Sequence, residues 1–257
     1  MDNLMNAGGD PTDVRVFSGG EEMADFMERT WRETASGSIK ARGLFCAALS
    51  GGKTPVDFYL RLAGLKDASF WNKTHIFLAD ERCVPPDHAD SNYRLLRDTF
   101  LDSVPLPAQN VHPVTVEPSS PELSAARYEA ELTNFFRLSR GMLPRFDLIL
   151  LGIGEDGHTA SLFPGSFAVT EMDHFTAHVL LGESKHDRIT LTLPVINNAE
   201  NVVVLMRGEN KSRIARRVIE ARDSSLPASL VRPREGRLLF LLDRKAASEL
   251  SNHWKRS

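Results

Sequence analysis

Apolar positions along the chain fall into two alternating patterns. Short continuous runs, Leu44 to Leu49, His75 to Ala79, Leu148 to Leu151, the Val202 to Met206 stretch and Leu238 to Leu242, are bounded by glycine or charge. They read as strands buried on both faces. Val14 to Phe17 can start a first strand, and Asp187 to Leu193 alternates as another. Between the runs, apolar residues recur at helical spacing: Met23, Phe26, Met27 and Trp31 within 21–35, then Val56, Tyr59, Leu60 and Ala63. Tyr93, Leu96 and Phe100 follow a cap at Asp90 or Ser91, and Tyr128, Leu132, Phe135 and Phe136 follow Ser120-Pro121-Glu122. Ile214, Ala215 and Val218 complete the set. Seven or so strands, most alternating with helices, predict an α/β fold: a doubly wound, mostly parallel sheet with helices on both faces. No repeat or linker divides it, so 13–257 reads as a single domain behind a flexible polar segment, 1–12.

Ionisable and glycine residues gather where the buried runs stop. The run ending at Leu151 passes into Gly152-Ile153-Gly154-Glu155-Asp156-Gly157-His158. Ligands of open α/β sheets bind at the carboxyl ends of strands, where departing loops splay apart. Asp156 stands two residues before His158, close enough to orient an imidazole that accepts a proton near neutral pH. The same two side chains could instead satisfy backbone groups of a tight turn, and spacing alone leaves both roles open. After Leu49 comes Ser50-Gly51-Gly52-Lys53-Thr54-Pro55 and then a helix, a recurrent phosphate cradle whose free N–H groups face the loop. It lacks the wider glycine spacing of a Walker loop. After Ala79 come Asp80, Glu81 and Arg82, a second strand end bearing charge, and Lys211 lies in the first turn after the Val202 to Met206 run.

Composition narrows the partners. The 257 residues carry a net charge of -3, so nothing draws the chain as a whole to nucleic acid or to an acidic membrane. The basic face Lys211, Arg213, Arg216 and Arg217 is the one feature favouring nucleic acid, and it reads as a solvated helix surface. No apolar run nears the roughly 18 residues of a membrane span, and the first residues have neither basic start nor apolar core. A soluble, cytoplasmic protein is the expectation. Cys46 and Cys83 form no CxxC pattern and read as reduced thiols. His174 and His178, four apart, lack further ligand spacing, and no His, Cys and carboxylate cluster is visible in the sequence, so no metal and no cofactor are expected. There is no GxSxG elbow for a serine nucleophile, and neither Ser50 nor Ser161 has the setting of one.

SGGKTP, ADERCVP followed by DSNY, and GIGEDGHTASLFPG occur in this order, and the chain continues through RITLTLPVINNA, RGENK, PASLVRP and FLLDRKAA. In these motifs the sequence resembles the 6-phosphogluconolactonase family over nearly its whole length. The related glucosamine-6-phosphate isomerases/deaminases look similar at the glycine loop and the DGH turn. They typically read MDEY where this chain has ADER, and carry a glutamate where it has Phe163. Lys53 stands where the lactonase loop more often has serine. The resemblance implies a Rossmann-like sheet with no bound nucleotide and hydrolysis of 6-phospho-D-glucono-1,5-lactone, a small-molecule phosphosugar lactone, in the pentose phosphate pathway. On the matching positions it implies His158, Asp156 and Arg82 as catalytic residues. It also implies a substrate-binding set of Gly51, Gly52, Lys53, Thr54, Asp80, Glu81, Lys185, Arg188 and Lys211, in which Asp80 and Glu81 also hold their loop. A monomer or homodimer is expected. A deaminase, or a phosphosugar-binding protein without catalysis, are the alternatives.

Overall fold

In the computed structural model, residues 12–182 and 186–254 are described. The segment expected to be flexible lies outside them, apart from Thr12. Ten strands and seven α-helices follow in the order β1 (Thr12–Phe17), α1 (Gly20–Arg42), β2 (Phe45–Leu49), α2 (Val56–Leu62), α3 (Ala68–Trp71), β3 (Thr74–Leu78), β4 (Asp80–Arg82), α4 (Asn92–Thr99), β5 (Val111–His112), α5 (Pro121–Phe135), β6 (Leu148–Gly152), β7 (Thr176–Val179), β8 (Arg188–Leu191), α6 (Leu193–Ile196), β9 (Asn201–Met206), α7 (Ser212–Ile219) and β10 (Arg237–Asp243). Seven strands form one sheet in the order β1-β10-β9-β6-β2-β3-β5, and every pairing in it is parallel.

The apolar runs found in the sequence supply the middle of this sheet. β2 is buried at all five positions and β6 at its first four, as expected for strands covered on both faces. The direction of winding reverses between them: from β2 the chain builds outward through β3 to β5, and from β6 it builds the other way through β9 to β10. Loops leaving β2 and β6 therefore diverge, and the crevice between them is the ligand position of this class of sheet. One hydrophobic cluster runs from Val14 to Leu250. Trp31 of α1 lies at its centre, edge-on to Phe45 with ring centroids 4.8 Å apart.

Three elements depart from expectation. α2 buries Phe58, Tyr59 and Leu62, while Leu60 is exposed; two turns of helix are too short for spacing to fix the face, and packing against α1 and α4 decides it. Asp80-Glu81-Arg82 is a strand, not a loop. It heads a small antiparallel sheet, β4-β8-β7, that the sequence pattern did not reveal. This sheet is joined to the large one where Leu191 N–H donates to the Ala79 carbonyl, just past β3, at 2.9 Å.

Candidate active site

The loop after β6 is wound tightly around His158. Gly154 N–H donates to the His158 carbonyl (2.8 Å), and the His158 N–H donates to Asp156 Oδ1 (3.1 Å). The same carboxylate oxygen lies 2.5 Å from His158 Nδ1. A carboxylate can only accept, so Nδ1 carries the proton and Nε2 keeps its lone pair. Gly154 is required here by close approach: a Cβ would meet His158 Nδ1 at 2.1 Å and Asp156 Oδ1 at 2.4 Å. Burial tends to raise the Asp156 carboxyl, but the His158 N–H and imidazole outweigh it and hold the group below its ordinary range. The His158 side chain is 32% exposed, and its ring leans on Phe163 at a centroid distance of 4.5 Å. The imidazole is thus reachable from solvent, with the apolar ring of Phe163 against one side.

A chain of buried polar contacts ties this loop to the other two strand ends. Ser161 Oγ donates to Asp80 Oδ2 (2.7 Å), and Asn92 Nδ2 donates to the Asp80 carbonyl (2.8 Å). Asn92 in turn presses on the glycine turn after β2, where a Cβ on Gly51 would fall 1.8 Å from Asn92 Oδ1. Gly51 is thereby the second position where only glycine fits. Glu81 is almost fully buried, and both its oxygens are engaged by the start of α4: Oε1 accepts from the N–H groups of Arg82 and Asn92, and Oε2 from the Tyr93 N–H and Ser91 Oγ. Burial raises its carboxyl while those N–H groups pull it back. Asp80 and Glu81 therefore hold the loop and present no free oxygen to a ligand. This corrects their inclusion among substrate contacts. Both serines named in the sequence are buried, Ser161 against Asp80 and Ser50 at the foot of the turn.

Arg82 and Arg188 are directly opposite each other across the antiparallel pairing of β4 and β8. Side chains so placed start about 5 Å apart, and two like charges there repel by about 1 kcal/mol or more. Among the described residues neither forms an ion pair with a carboxylate. Their Nη1 groups are spent on main-chain carbonyls, Arg82 on Asp90 (2.5 Å) and Arg188 on His186 (2.5 Å), and Arg82 Nε is buried without a partner. Burial, and then the charge of Arg82, pull Arg188 below the usual guanidinium range. Such a pair is suited to accept an anion.

The remaining expected ligands are less fully drawn in. Lys53 is exposed and Thr54 half-buried, beside a small space shared with Gly20, Met23 and Leu205. Lys211 is half-buried in the turn before α7, and that turn is joined to the His158 loop where Asn210 Nδ2 donates to Glu155 Oε1 (2.5 Å). Lys185 lies outside the described residues. A cavity of about 160 Å³ at the amino ends of β1 and β10, lined by Val218, Ser229 and Phe240 among others, contains none of these side chains. One grouping was not visible in the sequence. The chain does assemble a cluster of metal-binding type, His88, Asp90 and His186, beyond the reach of local spacing because β8 brings residue 186 to the loop after β4. His174 and His178 instead pair with carboxylates, His174 with Glu129 and His178 with Asp187 and Glu122.

Fold and site together define the class: an α/β protein with a parallel sheet, whose strand ends at the reversal of strand order carry a glycine turn and a carboxylate-steered histidine. Within that class the chain belongs to the glucosamine-6-phosphate isomerase/6-phosphogluconolactonase family, whose model matches residues 18–240. It is 43% identical over 216 residues to a 6-phosphogluconolactonase of a Synechocystis species, covering 83% of this chain and 88% of that one. It is 38% identical over 247 residues to the Rattus norvegicus 6-phosphogluconolactonase, covering 93% of each. The 6-phosphogluconolactonase of Trypanosoma brucei superposes with a TM-score of 0.84 at 31% identity, over 93% of this chain and 99% of that one. No helix among the described residues is long and apolar enough to cross a membrane.

Proposed function

We propose that this protein hydrolyses 6-phospho-D-glucono-1,5-lactone to 6-phosphogluconate, a step of the pentose phosphate pathway, with His158 as general base. The observation that carries the reading is the 2.5 Å contact of Asp156 with His158 Nδ1, which leaves Nε2 free to take a proton. Family membership and the names of the relatives supply the substrate.

Water, deprotonated by His158 Nε2, adds to the lactone carbonyl. The carbonyl oxygen becomes an oxyanion, for which Arg82, a permanent cation with no carboxylate partner among the described residues, is the candidate partner. Collapse of the adduct breaks the bond between the carbonyl carbon and the ring oxygen, and the imidazolium returns its proton to that oxygen. Asp156 stays ionised throughout and steadies the imidazolium. The phosphate dianion, far from the reacting carbon, is assigned to Arg188 with the N–H groups of Gly51 and Gly52, the Thr54 hydroxyl, Lys53, Lys211 and Lys185; this grip positions the carbonyl.

Freshly made lactone, followed by trapping of the acid product, distinguishes catalysis from spontaneous opening. Faster hydrolysis with the protein than in buffer alone is the expected result. The unphosphorylated lactone should be a far poorer substrate. Ammonia release from glucosamine 6-phosphate, with no acceleration of lactone opening, would replace this reading by that of a deaminase.

A further inference from the structure

We infer that His88, Asp90 and His186 form a site for a divalent transition-metal ion of the zinc type, and that an ion there acts as a staple between the loop after β4 and the residues entering β8. All three side chains are exposed, and their potential ligand atoms lie within 4.8 Å of one another. His186 Nε2 is 3.4 Å and His88 Nδ1 3.9 Å from the same Asp90 oxygen, Oδ2. Ligands about 2.0 Å from a tetrahedral ion stand roughly 3.3 Å apart, so the cluster closes around an ion with small side-chain movements. Two imidazoles and one carboxylate suit zinc, cobalt, nickel or copper, whereas magnesium and calcium prefer oxygen ligands alone. The Asp90 N–H donates to His88 Nδ1 (3.1 Å), and ligation at that nitrogen replaces this one bond. Three protein ligands leave a fourth position for water or for an oxygen of a bound anion.

The site matters because of what its ligands hold with their main chains. The Asp90 carbonyl accepts from Arg82 and the His186 carbonyl from Arg188. Joining residues 90 and 186 through their side chains therefore fixes the acceptors of both unpaired arginines and adds two positive charges beside them. None of the three ligands belongs to the catalytic set, and the hydrolysis assigned to His158 needs no ion.

The test is a titration of tag-free full-length protein with cobalt(II), followed by its visible absorption, with zinc(II) as competitor. One equivalent should bind, with the spectrum of a four- or five-coordinate nitrogen and oxygen site. Replacing an exposed ligand, as in His186→Ala or Asp90→Asn, should weaken binding by at least about tenfold while the circular dichroism stays that of the parent chain. His158→Asn should bind cobalt as the parent does. Absence of binding, or affinity unchanged in H186A, overturns the site; affinity lost in H158N with H186A unaffected places the ion on the catalytic histidine and overturns it equally. The staple is read separately and rests on the lactonase reading. Saturating zinc should lower KM for the phosphosugar lactone by about fivefold in the parent and leave it unchanged in H186A. A KM that zinc leaves unchanged or raises overturns the staple, and the cobalt result stands or falls without it.

Discussion

The two ends of the central sheet use arginine in opposite ways. At the amino end, Arg42 of α1 pairs directly with Asp147, just ahead of β6, and reaches Glu200 at 3.2 Å. Asp147 also accepts the Cys46 N–H at 2.7 Å, so that a nearly buried carboxylate is fully answered. At the carboxyl end, Arg82 and Arg188 face each other with no carboxylate partner among the described residues, beside a histidine open to solvent. The amino end is built for cohesion: its charges are paired, and removing one strands its partner. At the other end two like charges share one face of the small sheet at some cost in stability, a cost that a bound anion would offset.

Substitutions at the two ends should therefore fail in different ways. The largest effect belongs to His158→Asn, which should lower kcat by roughly 10²–10⁴-fold with a melting temperature near that of the parent; retained activity in the lactone-trapping assay would remove the base from the mechanism. Arg42→Ala should do the reverse. It leaves Asp147 without its cation and should cost about 2–3 kcal/mol in urea denaturation, reduced from the fully buried case because Arg42 is half exposed, while the active fraction keeps its kcat. Arg188→Gln should raise KM by about 10- to 100-fold, the loss of a charged hydrogen bond to phosphate. Thermal stability should hold or rise slightly as the repulsion with Arg82 disappears. A fall of several degrees would mean that the opposed pair is not strained.

The smallest effect concerns acid. Because Asp156 is held below its ordinary value of 3.8, its ionised form stabilises the fold above that value. This contribution is lost as pH falls through the depressed one. The melting-temperature difference between the parent and Asp156→Asn should therefore be steady at higher pH and shrink below roughly pH 4. A difference that grows on acidification would reverse the assignment.

What was legible in the sequence divides along the same line. β2, β6 and their glycine-rich exits stand out because burial on both faces leaves an unbroken apolar run, and a sharp turn toward a ligand needs glycine. The pairing of Asp156 with His158 is local and could be read from two positions. The antiparallel sheet β4-β8-β7 could not: β4 is three charged residues, and β7 carries His178 among four. Opposition of Arg82 and Arg188 is a matter of register between segments more than a hundred positions apart, which no local pattern encodes. The same holds for His88 and Asp90 meeting His186. Glu81 was misjudged because a carboxylate at a strand end looks free until the helix start that engages it is in place.

The edge of the large sheet bears on how the protein is made. Among the described residues β1 has a single neighbour, β10, and pairs with it from Thr12↔Leu238 to Phe17↔Asp243. On a translating ribosome the first strand emerges long before the last, and at about 5–20 residues per second it waits roughly 10–50 s for its mate. Throughout that interval the nascent chain carries an unclaimed β-edge, so the sheet closes only once its last strand has been made.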